Sequence, residues 1–322
     1  MAFTIYKNTD GSAPTLSGTV NSYVALLDAC LVNGYGAKAA AGWTKPFTGT
    51  NKAVFRNGTG SSQRYWRILD DGTVPTALAR EATIYGYESM TDVDTGSNPF
   101  PAVATTSNIR KSITADATAR DWIVVADAHT AYIFVKSEVA VGVAGDFLTI
   151  GMGDFYSFQA NDVYRCMTIS RGVSNSGAST SDMFARFEGI LGNVTVGNWM
   201  PRGHNLTYGP RNFGKHGDQD KEGATGIATG IIPYTNPSDG GLYLAPTWIH
   251  DPTTAPAPSV RGRLRGIWQF LHPAASVNHG DTVSGAAAGE LSGKTFEFIK
   301  TCPSSAGGGV IGVETSNTLE TN

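Results

Sequence analysis

The sequence predicts an α+β fold that is predominantly β, with antiparallel sheets in a sandwich or barrel-like arrangement. Two observations carry this prediction. First, only residues 22–33 have apolar side chains at helical spacing. Second, the rest of the chain consists of short β-branched and aromatic runs separated by glycine-rich turn signals. At 322 residues the chain is long enough for one large β-rich domain or two ordinary ones.

The single predicted helix covers residues 22–33. Its apolar residues recur at i, i+3, i+4 and i+7, which places them on one face; they are Tyr23, Val24, Leu26, Leu27, Cys30 and Leu31. Ser22 is the predicted N-cap and Gly34 the predicted residue after the last turn. Asp28 lies off the apolar face. Cys30 is interpreted as a small core hydrophobe rather than a nucleophile.

Strands are predicted through the remainder of the chain. The clearest signal is a hairpin over residues 120–136, two apolar strands joined by a polar tip at 127–130. Gly151 and Gly153 follow a strand, but the third glycine and the helix of a dinucleotide fingerprint do not follow. A bulge or a close backbone crossing explains these glycines better. Further strands are predicted at 241–250, 261–272, 294–300 and 309–315.

A domain boundary is predicted in the Ser/Gly/Asn-rich loop of residues 172–181. The first domain then covers residues 1–171 and contains the helix. The second, β-rich subdomain covers residues 182–322 and includes long irregular loops.

Charged residues are scarce in this sequence. They make up 16% of the chain, against roughly 25% in average soluble domains. A surface of this kind packs against neighbours without costly desolvation of charges, so the composition favours a protein covered by other subunits. The net charge of -3 gives no electrostatic footprint for nucleic acid, and no apolar run is long enough for a membrane helix. We therefore expect neither direct nucleic-acid binding nor a membrane partner.

Two acidic patterns resemble functional sites but have simpler interpretations. Asp70 and Asp71 are adjacent, and adjacent side chains on a strand point to opposite faces, so a role in a turn is favoured over a catalytic pair. Residues 92–101 begin like a calcium loop, but glycine at loop position 6 and glutamate at position 12 do not occur there.

The remaining candidates for chemistry lie in residues 215–223. His216, Asp218 and Asp220 occur there in a glycine-bounded loop, which is typical of a solvated turn; a hydrolase built on these residues is the least favoured alternative. The cysteines Cys30, Cys166 and Cys302 are odd in number and far apart, which argues against disulfides and thiolate zinc sites. We expect no enzyme activity, no cofactor and no metal.

Arg261, Arg263 and Arg265 recur at period two, so strict alternation places them on one side of a strand. Three arginines on one side favour pairing with carboxylates at an interface, within the chain or between subunits. They are the predicted interface residues.

Three segments of the sequence, residues 5–20, 26–36 and 41–53, resemble a family of uncharacterised structural proteins of tailed bacteriophages. The likeness continues more loosely through residues 88–96 and 151–155 to the Arg-Gly-Arg-Leu-Arg-Gly-Ile-Trp motif and to residues 313–318, so it covers most of the chain. The resemblance implies a virion component, in head decoration, neck or collar, or tail, that assembles with its own copies and other particle proteins. It implies no catalytic residues.

The sequence therefore predicts a virion structural protein that acts by assembly. The alternative from a different class is a carbohydrate- or receptor-binding virion module, because exposed Trp and Tyr rings can stack on sugar faces. The chain has 6 Trp and 12 Tyr residues, of which most must serve the core.

Overall fold

The computed structural model describes residues 2–73, 75–76, 79–105, 107–143, 147–170, 198–212, 214–216, 241–251, 259–270, 272, 276–285, 289–301 and 310–316. Their fold is α+β and mostly β, with antiparallel sheets and one short helix, as predicted. In chain order the strands are β1 (Thr4–Lys7), β2 (Thr44–Gly49), β3 (Lys52–Arg56), β4 (Tyr65–Leu69), β5 (Pro75–Thr76), β6 (Ala79–Met90), β7 (Gly96–Phe100), β8 (Asn108–Ser112), β9 (Trp122–Ala126), β10 (Thr130–Val135), β11 (Leu148–Asp154), β12 (Tyr156–Ser157), β13 (Cys166–Ile169), β14 (Asn198–Arg202), β15 (Tyr208–Asn212), β16 (Gly214–His216), β17 (Leu244–Asp251), β18 (Ser259–Phe270), β19 (Thr282–Ser284), β20 (Thr295–Lys300) and β21 (Val310–Glu314).

The strands form three seven-stranded sheets. Sheet 1 has the order β1-β9-β10-β11-β13-β14-β15. Sheet 2 has the order β2-β3-β4-β6-β5, with β7 and β8 also paired to β6. Sheet 3 has the order β16-β17-β18-β21-β20-β19, and β12 pairs with β18. Within the described ranges, no helix is long and apolar enough to cross a membrane.

The predicted helix is present, but it changes geometry half-way. It is α-helical over α1 (Ser22–Leu27) and π-helical over Asp28–Asn33, and it ends before Gly34 as predicted. The predicted apolar face is buried throughout. The N-cap prediction is wrong: Asn21 holds the cap position and Ser22 begins the helix, with its hydroxyl donating to the Ser17 carbonyl at 2.7 Å.

The clearest predicted hairpin is confirmed as β9 and β10, which pair in register from Ala131 with Ala126 to Val135 with Trp122. Both strands are completely buried, because β9 and β10 lie inside sheet 1 between β1 and β11. The close backbone crossing predicted at Gly153 is also confirmed. Gly153 has a φ of +117°, and a Cβ there would lie 2.3 Å from the His129 carbonyl oxygen.

The predicted boundary loop at residues 172–181 lies outside the described residues. Strands from both sides of it share sheet 1, since β13 pairs directly with β14. One hydrophobic cluster also contains side chains from both sides, among them Phe3, Trp66, Ile249 and Val313. The two predicted segments are therefore not separate sheets with separate cores.

Tryptophan side chains join sheet 2 to sheet 1. The indole of Trp66 on β4 is fully buried, and its Nε1 donates to the Met167 carbonyl on β13 at 3.1 Å. Trp43 packs against Trp66, with ring centroids 5.4 Å apart, and its Nε1 donates to the Asp127 carbonyl at 2.7 Å. A buried indole needs a hydrogen-bond acceptor, so these bonds fix both the burial and the orientation of the rings.

Candidate functional site

The three predicted interface arginines lie on β18, but strict alternation does not hold along this strand. The pairing of β17 with β18 shifts register twice, between Ile249 and His250 and between Pro246 and Trp248. Each shift inserts extra residues into β18, and such bulges re-aim the side chains beside them. The prediction that all three arginines share one side is therefore wrong.

Arg261 and Arg265 point into the protein and pair with carboxylates of the same chain. Their side chains are only 1% and 3% exposed. The Arg261 guanidinium donates twice to Oδ2 of Asp162, at 3.1 and 2.7 Å, and once to the Arg202 carbonyl at 3.0 Å. Both guanidinium groups are thus engaged within the chain, between sheet 3 and the segments packed against it.

Arg263 occupies a different environment, at the surface of sheet 3. It is the cross-strand partner of Tyr156 on one side and of Trp248 on the other. Directly opposed residues of antiparallel strands lie on one face, and the next pair along, Ile249 with Gly262, has a fully buried isoleucine. The face that carries Tyr156, Arg263 and Trp248 is therefore the outer face.

A row of aromatic rings covers this outer face. We call Tyr156, Phe158 and Trp248 the aromatic row. The Phe158 ring centroid lies 5.8 Å from that of Tyr156 and 5.7 Å from that of Trp248. Phe158 is 49% exposed and the other two rings are half-buried. The Arg263 guanidinium lies over the Tyr156 ring at 5.4 Å, and its Nη1 donates to Glu290 Oε1 at 2.5 Å.

A small cleft adjoins Arg263 and is lined in part by Trp268, Lys294 and Glu314. Lys294 Nζ donates to both Glu314 carboxylate oxygens, at 2.9 and 3.0 Å, and Trp268 Nε1 donates to Oε2 at 3.2 Å. Arg263 lies over the Trp268 ring as well as over Tyr156. The side chains of Lys294 and Glu314 are only 8% and 2% exposed, so this ion pair is buried and satisfied within the chain.

A separate cluster of polar side chains is buried where the three sheets meet. We call it the polar junction, and it consists of Asn57, Asp127, Thr130, Asp154 and Arg265. Arg265 of sheet 3 donates to both oxygens of Asp127 in sheet 1, at 3.0 and 2.8 Å, and to Thr130 Oγ1 at 3.0 Å. Asn57, which follows β3 of sheet 2, donates to Asp154 Oδ1 at 2.8 Å. Charge-assisted hydrogen bonds of this kind fix the sheets relative to one another.

Burial sets the protonation of groups in and beside the polar junction. It raises the pKa of the Asp154 carboxyl to about 6, although Ser62 and Arg165 favour its charged form. It lowers the pKa of the neighbouring His129, which the positive charge of Arg265 lowers further. Asp154 and His129 are both enclosed, so they have no access to a molecule in solution. The polar junction therefore joins the sheets through buried hydrogen bonds.

The adjacent acids Asp70 and Asp71 have separate roles. Asp71 accepts from the Thr73 backbone at 2.9 Å, which confirms its predicted turn role. Asp70 is instead buried: it lies 2.5 Å from Lys111 and accepts from the Tyr23 backbone N–H at 2.9 Å, in the first turn of α1. Burial raises the Asp70 pKa and lowers the Lys111 pKa, because both lose hydration.

The other candidates of the sequence lie apart from these clusters. Asp94, in the partial calcium pattern, pairs with Lys52 and Arg67. Cys30 and Cys166 are buried and free, and Cys302 lies outside the described residues. So do Asp218 and Asp220, whereas His216 is described only by its backbone in β16. Among the described residues, no three His, Cys, Asp or Glu side chains are placed to hold a metal ion.

Comparison of the sequence with protein-family models and with curated proteins gave no match to either.

Sequence reasoning did not find the aromatic row or the polar junction. Tyr156 and Trp248 are 92 positions apart in the chain and are brought together by the pairing of β12 and β17 with β18. Asp127 and Arg265 are 138 positions apart, and their contact arises from the packing of sheet 3 against sheet 1. One signal was present: Gly262 lies inside the arginine motif, and a glycine within a strand often marks a bulge. A Cβ at Gly262 would lie 2.0 Å from the Tyr156 carbonyl oxygen, so β12 can pair there only with glycine.

Proposed function

We propose that this protein is a structural component of a tailed-bacteriophage virion, located in the particle and acting by assembly with its own copies and with other particle proteins. The proposal begins from the resemblance of residues 5–20, 26–36 and 41–53 to that family. The architecture supports it with a surface depleted of charge, and this depletion is the observation on which the proposal rests.

The depletion has a structural origin. The chain contains 24 Lys and Arg and 27 Asp and Glu residues. Ten of these charged residues are buried as five intrachain pairs: Asp70–Lys111, Glu81–Arg110, Asp127–Arg265, Asp162–Arg261 and Glu314–Lys294. The number of charged side chains is already low, and burial of these ten lowers the number at the surface further. A surface with few charges is suited to contact with neighbouring subunits.

Buried ion pairs contribute little net stability, because desolvation offsets most of their attraction. Their benefit is geometric. A buried ion pair that can form in only one packing of the sheets disfavours every other packing. A subunit of a particle must present the same surfaces in every copy. Polar pairs that fix sheet 3 on sheet 1 meet this requirement.

The proposal predicts that the purified chain self-associates into a defined oligomer or binds a particle protein. Native mass spectrometry and light scattering over a range of concentrations measure this directly, with co-purification from infected cells as the second arm. We expect discrete assembled masses or a stable complex with another virion protein. A chain that stays monomeric at all concentrations and binds no particle protein would contradict the proposal.

A further inference from the structure

We propose that the aromatic row, together with Arg263 and Glu290, forms a carbohydrate-binding site for an oligosaccharide of pyranose rings. The inference holds whether or not the chain assembles into a virion, because it depends only on the outer face of sheet 3.

The aromatic row offers the apolar half of such a site. A pyranose ring has apolar C–H faces and hydroxyl groups around its edge, so it needs an apolar platform with hydrogen-bonding groups beside it. The plane of the Phe158 ring is tilted by 73° to that of Tyr156 and by 55° to that of Trp248. The rings therefore do not stack face to face, and their faces are not covered by one another. Rings with one apolar side toward solvent are the usual anchors of binding surfaces.

Arg263 and Glu290 supply the polar half beside this platform. Arg263 is held over Tyr156 and Trp268, which fixes the plane of its five N–H donors. Glu290, whose side chain is 55% exposed, is an acceptor that still contacts water. Hydroxyl groups at the edge of the sugar ring then meet the exposed Glu290 acceptor and its donor partner Arg263, whose side chain is 12% exposed.

The same charged pair argues against a protein surface as the occupant. Covering Glu290 with a protein interface would remove its carboxylate from water, and the desolvation cost cancels most of the gain from its attraction to Arg263, whose side chain is only 12% exposed. Sugar hydroxyls hydrogen-bond to this carboxylate while leaving it partly hydrated, and water-mediated bonds complete the rest. The combination of apolar rings and an exposed carboxylate therefore fits a saccharide better.

The test is a printed array of defined hexose, N-acetylhexosamine and uronic-acid oligosaccharides, followed by isothermal titration calorimetry of the retained saccharide with each variant and by tryptophan fluorescence of the unmodified chain. We expect retention of at least one saccharide class, quenching of fluorescence on binding, and a loss of affinity of about tenfold or more in Trp248→Ala, as for other aromatic anchors. Phe158→Ala, which removes a half-exposed ring at little risk to folding, gives a second variant with the same expectation.

Tyr243→Ala is the matched control, because Tyr243 is 50% exposed but packs against His272, away from the row. Tyr243→Ala should bind the saccharide as the unmodified chain does. All three variants should have the melting temperature of the unmodified chain. Failure to retain any saccharide would overturn the proposal, and so would unchanged binding by Trp248→Ala and Phe158→Ala. If these two variants alter the oligomeric mass while no saccharide binds, the outer face is a subunit contact instead.

Discussion

Replacing Leu27 by alanine is expected to lower the free energy of unfolding by about 2–5 kcal/mol, the usual cost of truncating a buried leucine. Leu27 is fully buried at the junction between the α-helical and π-helical parts of the helix. Its cluster also contains β-strand side chains such as Phe55 and Trp122, which cannot follow a truncated side chain without moving their strands. Denaturation with urea measures the change.

Asp28→Ala is the control, because residue 28 follows Leu27 directly on the same helix but carries a side chain that reaches Lys45 at 2.6 Å, near the surface. Both partners of this pair are partly exposed, so its loss should cost about 1 kcal/mol or less. Equal destabilisation by the two variants would show that the helix buries a different face.

Replacing Arg265 by glutamine is expected to destabilise the protein by about 3–5 kcal/mol, because it leaves the carboxylate of Asp127 buried without its charged partner. Asp127 retains backbone donors from His129 and Thr130, at 2.9 and 2.8 Å. These bonds do not replace a positive charge. The variant should also weaken the contact of sheet 3 with sheet 1, which increased hydrogen exchange in β10 and β18 would report.

Arg263→Gln is the matched control on the same strand, since the partner of Arg263 is the exposed carboxylate of Glu290. Glu290 stays hydrated when its partner is removed, so we expect a cost of about 1 kcal/mol. If Arg263→Gln destabilises the fold as much as Arg265→Gln, the polar junction does not join the sheets in the way proposed.

The elements that the sequence predicts well are those governed by local periodicity. The apolar face of the helix follows from spacing at i, i+3 and i+4, and the β9–β10 hairpin follows from two apolar runs around a polar tip. The same pattern misleads about the tip. Polarity alone favours an exposed tip at residues 127–130, but Asp127, His129 and Thr130 are buried, and Arg265 from a distant strand pairs with the acid.

The alternation of Arg261, Arg263 and Arg265 shows a second limit of local pattern. Period two holds only for an unbroken strand, and β18 has two register shifts. The shifts send Arg261 and Arg265 inward and leave Arg263 beside Tyr156 and Trp248. Composition does not encode where a bulge falls, since the pairing of β17 and β12 with β18 decides it. The predicted pairing with carboxylates is confirmed within the chain, for Arg261 with Asp162 and for Arg265 with Asp127. A contact of Arg263 with another subunit stays a prediction.

The most direct measurement of the central proposal is the location of this chain in intact particles produced from the genome that encodes it. Mass spectrometry of purified virions should detect the chain, and electron cryomicroscopy should show three-sheet density at symmetric positions, in contact with neighbouring copies or other particle proteins. Ring symmetry at the portal would place it in the neck or tail, and icosahedral positions in the head. Expression in infected cells together with absence from purified virions would contradict the proposal.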